Sequence, residues 1–557
     1  MWCGTRSGPS WGAHLPGLCY VDSMFIRLNQ NWSRRISLAA VVFAGLLSTG
    51  LPSSASTAGG TATASVARTE TGVVRGSVSG AVRVFDGIPY AAPPDGALRW
   101  QAPEPAASWP GVRDATRPGN RCAQSPNPVA GTAGSRSEDC LYLNVTTPVS
   151  TRRALPVLVY VHGGGLSSGA GSDLEPRRLA AREQVVVVTV NYRLGVFGFF
   201  GAPGLAGSGT FALQDQQAAL AWVRRNIAGF GGNPHNTTLF GESGGGDSVC
   251  AHLASPTAWP LIDRAVVQSG TCSDANPVDA LFPGAGATVA SWQPLSTVEH
   301  NGSAVAAELG CPAVDLGCLR AVPVSRLLTD KAVAAVYWSP AYGTPLLPLR
   351  PAAAIATGRF AHVPLMIGTT RDEGTLLTAL SGQAKDAVAY RDLLSRAFGD
   401  RADTVAAAYP AGTQPARAWA AIVGDRGYVC PNQGSAHVLA RQTRTYAYEF
   451  ADPAPPLIFH LDPPFPLGAY HASDVPYLWD TQLQLTPAQQ RLSDRILDYL
   501  GRFAASGNPN GAGTPLWPAV HPGDPAPVVQ RLAPDAVGPT TTAAAHHCPL
   551  WTNGATS

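Results

Sequence analysis

Thr237-Thr-Leu-Phe-Gly-Glu-Ser-Gly-Gly-Gly246 reads as a short β-branched and apolar strand that runs without a linker into a serine flanked by glycines. Strand, sharp turn and helix is the context a Gly-x-Ser-x-Gly nucleophile elbow needs. The serine takes a strained backbone conformation, and small neighbours let strand and helix approach so that its hydroxyl projects. Ser243 occupies that place. In a chain with 59 glycines the pentapeptide also arises by chance, so its surroundings must carry the reading.

Upstream, Val157-Leu-Val-Tyr-Val161 and Val185-Val-Val-Val-Thr-Val190 have the near-continuous apolar character of strands buried on both faces. Leu213, Leu220, Val223 and Ile227 share one face at helical spacing, and Gly229, Gly231 and Gly232 follow as stop signals. Short strands alternating with helical patterns predict an α/β chain with a large, mostly parallel mixed sheet flanked by helices. His162-Gly-Gly-Gly165 follows directly on the strand ending at Val161. Its bare N–H groups suit an oxyanion hole, with a plain glycine-rich turn as the alternative. A phosphate loop fits poorly, because no Lys-Ser/Thr follows.

The whole chain agrees with a globular protein. Hydrophobic residues make up 45% of its 557 positions and charged residues 14%, enough apolar material for a large core and unlike a disordered chain. The formal net charge is +2, lysine occurs only at 331 and 385, and no Lys/Arg cluster interleaves with aromatics. The charge pattern that binds phosphate backbones is therefore missing, and nucleic acid is not expected as a partner. There is no internal repeat and no linker-like stretch after about residue 60, so residues 59–557 are read as one domain.

Arg27, Arg34 and Arg35 precede an apolar run from Ile36 to Leu47, and small residues follow through Ala58. This is the layout of an export signal with cleavage after Ala55 or Ala58. The run is shorter than the roughly 20 residues a membrane span needs, so no stable membrane anchor is expected. Ser33-Arg-Arg-Ile-Ser-Leu38 weakly resembles a twin-arginine signal. Residues 1–23 lie upstream of this pattern, Met24 is read as the true start, and 24–58 as the signal. Without Cys3 and Cys19, eight cysteines remain, an even number suited to a secreted protein in an oxidising compartment.

Further motifs then fall in order. Phe85-Asp-Gly-Ile-Pro-Tyr-Ala91, Pro93-Pro94, Leu98-Arg-Trp100 and Trp109-Pro-Gly-Val-Arg-Asp-Ala115 precede Ser137-Glu-Asp-Cys-Leu-Tyr-Leu-Asn-Val145, and Gly241-Glu-Ser-Gly-Gly-Gly246 comes next. With these motifs the chain, from about Gly72 to Trp551, resembles the type-B carboxylesterase/lipase family, which includes bacterial p-nitrobenzyl-type esterases and the cholinesterases. The resemblance implies an α/β-hydrolase fold and a triad of Ser243, Glu373 in Gly368-Thr-Thr-Arg-Asp-Glu-Gly374, and His471 in Gly468-Ala-Tyr-His-Ala-Ser-Asp-Val-Pro-Tyr477. The order Ser, Glu, His is the one this fold uses.

It also implies oxyanion donors at Gly164, Gly165 and Gly244, and disulfides Cys122–Cys140, Cys311–Cys318 and Cys430–Cys548. Cys250 and Cys272 are then left as a fourth pair or as free buried thiols. The implied reaction is hydrolysis of a small-molecule carboxylic ester, with no metal and no cofactor; oligomeric state stays open. His546 and His547 are read as surface residues. The chain departs from the family at Gly244 (usually Ala), Leu166 (often Phe), Tyr342 (often Asp) and Ala472 (usually Gly), which bears on substrate shape and not on reaction type. Two rival readings are a catalytically dead binding relative, against which the intact triad counts, and a lipase, for which no decisive lid sequence is present.

Overall fold

The computed structural model of the protein describes residues 65–150, 154–273, 277, 279, 291–311 and 315–552. The signal read at 24–58, the start read at Met24, and Cys3 and Cys19 lie outside the described residues.

The strands are β1 (Ser65–Thr69), β2 (Gly72–Ser79), β3 (Val82–Pro89), β4 (Val112–Asp114), β5 (Tyr142–Pro148), β6 (Leu155–Val161) and β7 (Val186–Val190). They continue with β8 (Gly232–Glu242), β9 (Arg264–Gln268), β10 (Gln293–Pro294), β11 (Ala341–Tyr342), β12 (Leu365–Thr370), β13 (Thr445–Phe450), β14 (Val529–Ala533) and β15 (Ala536–Thr540). One large sheet runs β1-β2-β3-β5-β7-β6-β8-β9-β12-β13-β14-β15, with β4 beside β2, while β10 and β11 form a separate pair. From β7 to β14 every pairing is parallel, and antiparallel pairings close the two edges.

The valine runs lie at the centre of the sheet because both of their faces are covered. Val157, Val159 and Val161 of β6 and Val186, Val188 and Val190 of β7 pack into one apolar layer. Leu158, Tyr160 and Val187 pack into the other. Side chains alternate across a strand, so a strand covered on both faces must be apolar at nearly every position. Each fully buried Val or Leu contributes about 1.5–3 kcal/mol.

Helices Phe211–Asn226 and Gly244–Leu253 cover the first face through Leu213, Leu220, Val223, Val249 and Leu253. Helix Pro487–Ser506, started by a Thr486/Gln489 capping box, covers the second through Leu492, Leu497 and Phe503. Two details differ from the sequence expectation. β8 starts at Gly232, before Thr237, and Ile227 falls in a 3-10 turn after its helix.

Cys122–Cys140, Cys250–Cys272, Cys311–Cys318 and Cys430–Cys548 are disulfide-bonded. The last ties the C-terminal segment into a separate apolar cluster with Tyr409, Trp419 and Trp551. Here one expectation fails. His546 is not a surface residue; it is 7% exposed, and both ring nitrogens meet carboxylates. His547 is half-buried, with its ring against Tyr409.

Candidate active site

The carboxyl ends of the central parallel strands bring the expected residues to one place. β8 ends at Glu242, Ser243 turns the chain, and helix Gly244–Leu253 begins at once. Ser243 has φ 55° and ψ −125°, a conformation that L-residues rarely adopt. The turn closes because its flanks lack side chains. A Cβ on Gly241 would collide with the carbonyl of Gly245, and one on Gly245 with the carbonyl of Val161.

The hydroxyl meets the other two members. His471 Nε2 lies 2.8 Å from Ser243 Oγ, and His471 Nδ1 lies 2.5 Å from Glu373 Oε2. Glu373 is fully buried, and its second oxygen accepts a 2.8 Å bond from the Thr370 N–H at the end of β12. Burial opposes a charge on the imidazole, but the adjoining Glu373 carboxylate outweighs it and holds His471 above its ordinary value of 6.5. Asp372 faces elsewhere. Its carboxylate accepts from the Ala469 N–H at 2.8 Å and pairs with Arg371 at 2.7 Å, joining the loop that carries Glu373 to the loop that carries His471.

Gly164 and Gly165 follow β6 in left-handed conformations, at φ 101° and 60°. Their loop lies against the elbow: a Cβ on Gly163 would stand 3.2 Å from Ser243 Cβ. A Cβ on Gly244 would stand 2.9 Å from the N of Leu166 and 3.3 Å from that of Gly165. Glycine at 244 therefore matches a closely approaching loop. Leu166 and Ala472, two further departures from the family pattern, both hold positive φ, 60° and 70°.

Three groups beside His471 were not singled out from the sequence. Glu242 is buried with an oxygen 3.6 Å from His471 Nε2, and burial pushes its carboxyl up to about 8. Asp474 is buried nearby and pushed up to about 6, chiefly by burial. The Tyr428 ring packs 5.3 Å from the imidazole, centroid to centroid. Glu242 stands inside the serine motif and could have been found there; nothing in the local sequence marks Tyr428.

A family model described as the carboxylesterase family matches residues 63–551. The chain belongs to the carboxylesterase family. This carboxylesterase is 34% identical to the para-nitrobenzyl esterase of Bacillus subtilis (strain 168) over 476 residues, covering 82% of its own length and 92% of that protein. It is 35% identical to the cocaine esterase of Oryctolagus cuniculus over 500 residues, covering 81% and 90%. The solved structure of a PNB esterase superposes with a TM-score of 0.72 at 31% identity, covering 86% of this chain and 98% of that one. The carboxylesterase thus has the α/β-hydrolase fold and is a carboxylic ester hydrolase. Among the described residues no cluster of three or more His, Cys, Asp or Glu could hold a metal ion, and no helix is long and apolar enough to cross a membrane.

Proposed function

We propose that this carboxylesterase is exported and hydrolyses small-molecule esters through an acyl-enzyme on Ser243. The observation that carries the reading is the unbroken run of hydrogen bonds from Ser243 Oγ through His471 to Glu373. His471 takes the hydroxyl proton as Oγ attacks the ester carbonyl, and Glu373 orients the imidazole and stabilises its charged form. The N–H groups of Gly164, Gly165 and Gly244 receive the oxyanion. His471 then protonates the leaving alcohol, and a water repeats the sequence to free the acid. Relatives named para-nitrobenzyl esterase and cocaine esterase support an ester substrate.

Rates on p-nitrophenyl esters from acetate to palmitate, measured on protein beginning at Gly59, test the reading. Turnover that vanishes in Ser243→Ala is expected; turnover that survives overturns it. For export, the four disulfides and the apolar run Ile36–Leu47 are the support. N-terminal sequencing of protein from culture medium should begin after Ala55 or Ala58. Full-length chain retained in the cells contradicts it.

A further inference from the structure

Helices Pro415–Gly424 and Cys430–Leu439 are joined end to end by a π-turn, Asp425–Val429, closed by a bond from the Cys430 N–H to the Asp425 carbonyl. A π-turn inserts one extra residue into an α-helical ladder and is rare outside sites that need it. Something must hold it open. The C-terminal segment grips it at both ends.

At the first end, Asp425 Oδ1 lies 2.5 Å from His546 Nδ1, and His546 Nε2 lies 2.7 Å from Glu449 Oε2 on β13. Asp425, Glu449 and His546 are all buried. Satisfying both carboxylates takes a donor on each ring nitrogen, which only the imidazolium has. Asp425 also accepts the Tyr409 hydroxyl at 2.8 Å, and that hydroxyl accepts the Trp551 indole N–H at 3.0 Å. At the second end, Cys430 is bonded to Cys548, two residues beyond His546.

The residue this turn aims is Tyr428, the one packed against His471. Were the π-turn to relax to plain α-helix, the register would slip by one residue, which swings a side chain by about 100° around the axis. Tyr428 would leave the imidazole. We propose that His546 is a positioning residue for the active site: bound to Asp425 and Glu449, it fixes the π-turn and so the Tyr428 ring that packs against the His471 imidazole. His471 Nε2 stands 2.8 Å from Ser243 Oγ, so moving the ring packed against that imidazole alters the space next to the reacting pair, which a branched acyl group senses more than a small one. The proposal rests on Ser243 and His471 being the reacting pair.

The test compares His546→Gln, Tyr428→Ala and the double variant on p-nitrophenyl acetate and p-nitrophenyl pivalate, with melting temperature and organophosphate labelling of Ser243 measured on each. His546→Gln should shift the acetate-to-pivalate ratio of kcat/KM by about tenfold, the scale that one or two methyl groups make in a pocket. The shift should have the sign seen in Tyr428→Ala, and the double variant should show no more than Tyr428→Ala alone. If His546→Gln lowers only the melting temperature and leaves the ratio at the wild-type value, His546 is a structural tie and the proposal fails. Unequal signs, or additive shifts in the double variant, overturn it too. Should His546→Gln not fold, Glu449→Gln keeps the Asp425 contact and is held to the same ratio test. Failure of wild-type Ser243 to take the label would instead sink the reading of the reacting pair.

Discussion

His471 and His546 are both buried histidines with both ring nitrogens engaged, yet their partners give them different work. His471 has a carboxylate on Nδ1 and a hydroxyl on Nε2. A hydroxyl can surrender its proton, so this ring can pass between neutral and charged. His546 has a carboxylate on each side. A proton lost there would leave two buried carboxylates facing a ring with one donor, and although burial lowers its affinity for the proton, Asp425 and Glu449 push it up to about 10. The second partner, more than burial, decides whether a histidine cycles its proton or keeps it.

The strongest way to break this contrast is to remove each ring. His471→Ala, like Ser243→Ala, should lower kcat by about 10⁶ with the fold intact, because members of such a unit fail together. His546→Ala should leave kcat on p-nitrophenyl acetate within about tenfold of wild type while lowering the melting temperature. Equal losses of kcat in the two variants would erase the distinction. Next in size is the carboxylate beside the cycling ring. Glu373→Gln should cost about 10³–10⁴ in kcat, since the imidazole loses the group that fixes its tautomer.

What the sequence discloses follows the range of the forces involved. Val157–Val161 and Val185–Val190 betray buried strands because period-two burial on both faces acts residue by residue. The serine elbow and the glycine run are equally local, fixed by backbone approach at Gly241 and Gly245. His546 escaped because its partners stand 121 and 97 residues away in the chain, and nothing around it shows a periodic apolar pattern. Tyr428 escaped for a related reason: a π-turn has no sequence signature, and its aim depends on a segment that folds back from the C-terminus.

The two rings should also differ in their response to pH. With neutral His471 as the base of the proposed mechanism, kcat/KM should rise with pH through a midpoint above 6.5. Glu373→Gln should move that midpoint down, and no movement would deny Glu373 its place beside the ring. For His546 the folded value lies above the ordinary one, so its stabilisation is complete below 6.5 and fades as pH climbs through about 10. It is faced by Asp425 from the π-turn, Glu449 from β13 with Arg371 beyond it, the Tyr409 hydroxyl and neighbouring His547. The melting temperature of the wild type should therefore fall more steeply between pH 6.5 and about 10 than that of His546→Gln. Parallel curves would show that the ion pairs contribute nothing.

The smallest expected effect separates the two adjacent carboxylates. Asp372 turns from the imidazole to bind Arg371 and the Ala469 N–H, so Asp372→Asn should lose less than about tenfold in kcat and show its loss mainly as lowered stability. A larger kinetic loss at unchanged melting temperature would reverse the assignment of Glu373.

The central claim, that Ser243 carries the acyl group, is tested most directly by mass-spectrometric peptide mapping after inactivation with a dialkyl fluorophosphate. One phosphoryl group per chain, on the peptide containing Ser243 and in proportion to lost activity, is the predicted result. Label on any other residue, or full esterase activity with Ser243 modified, would contradict it.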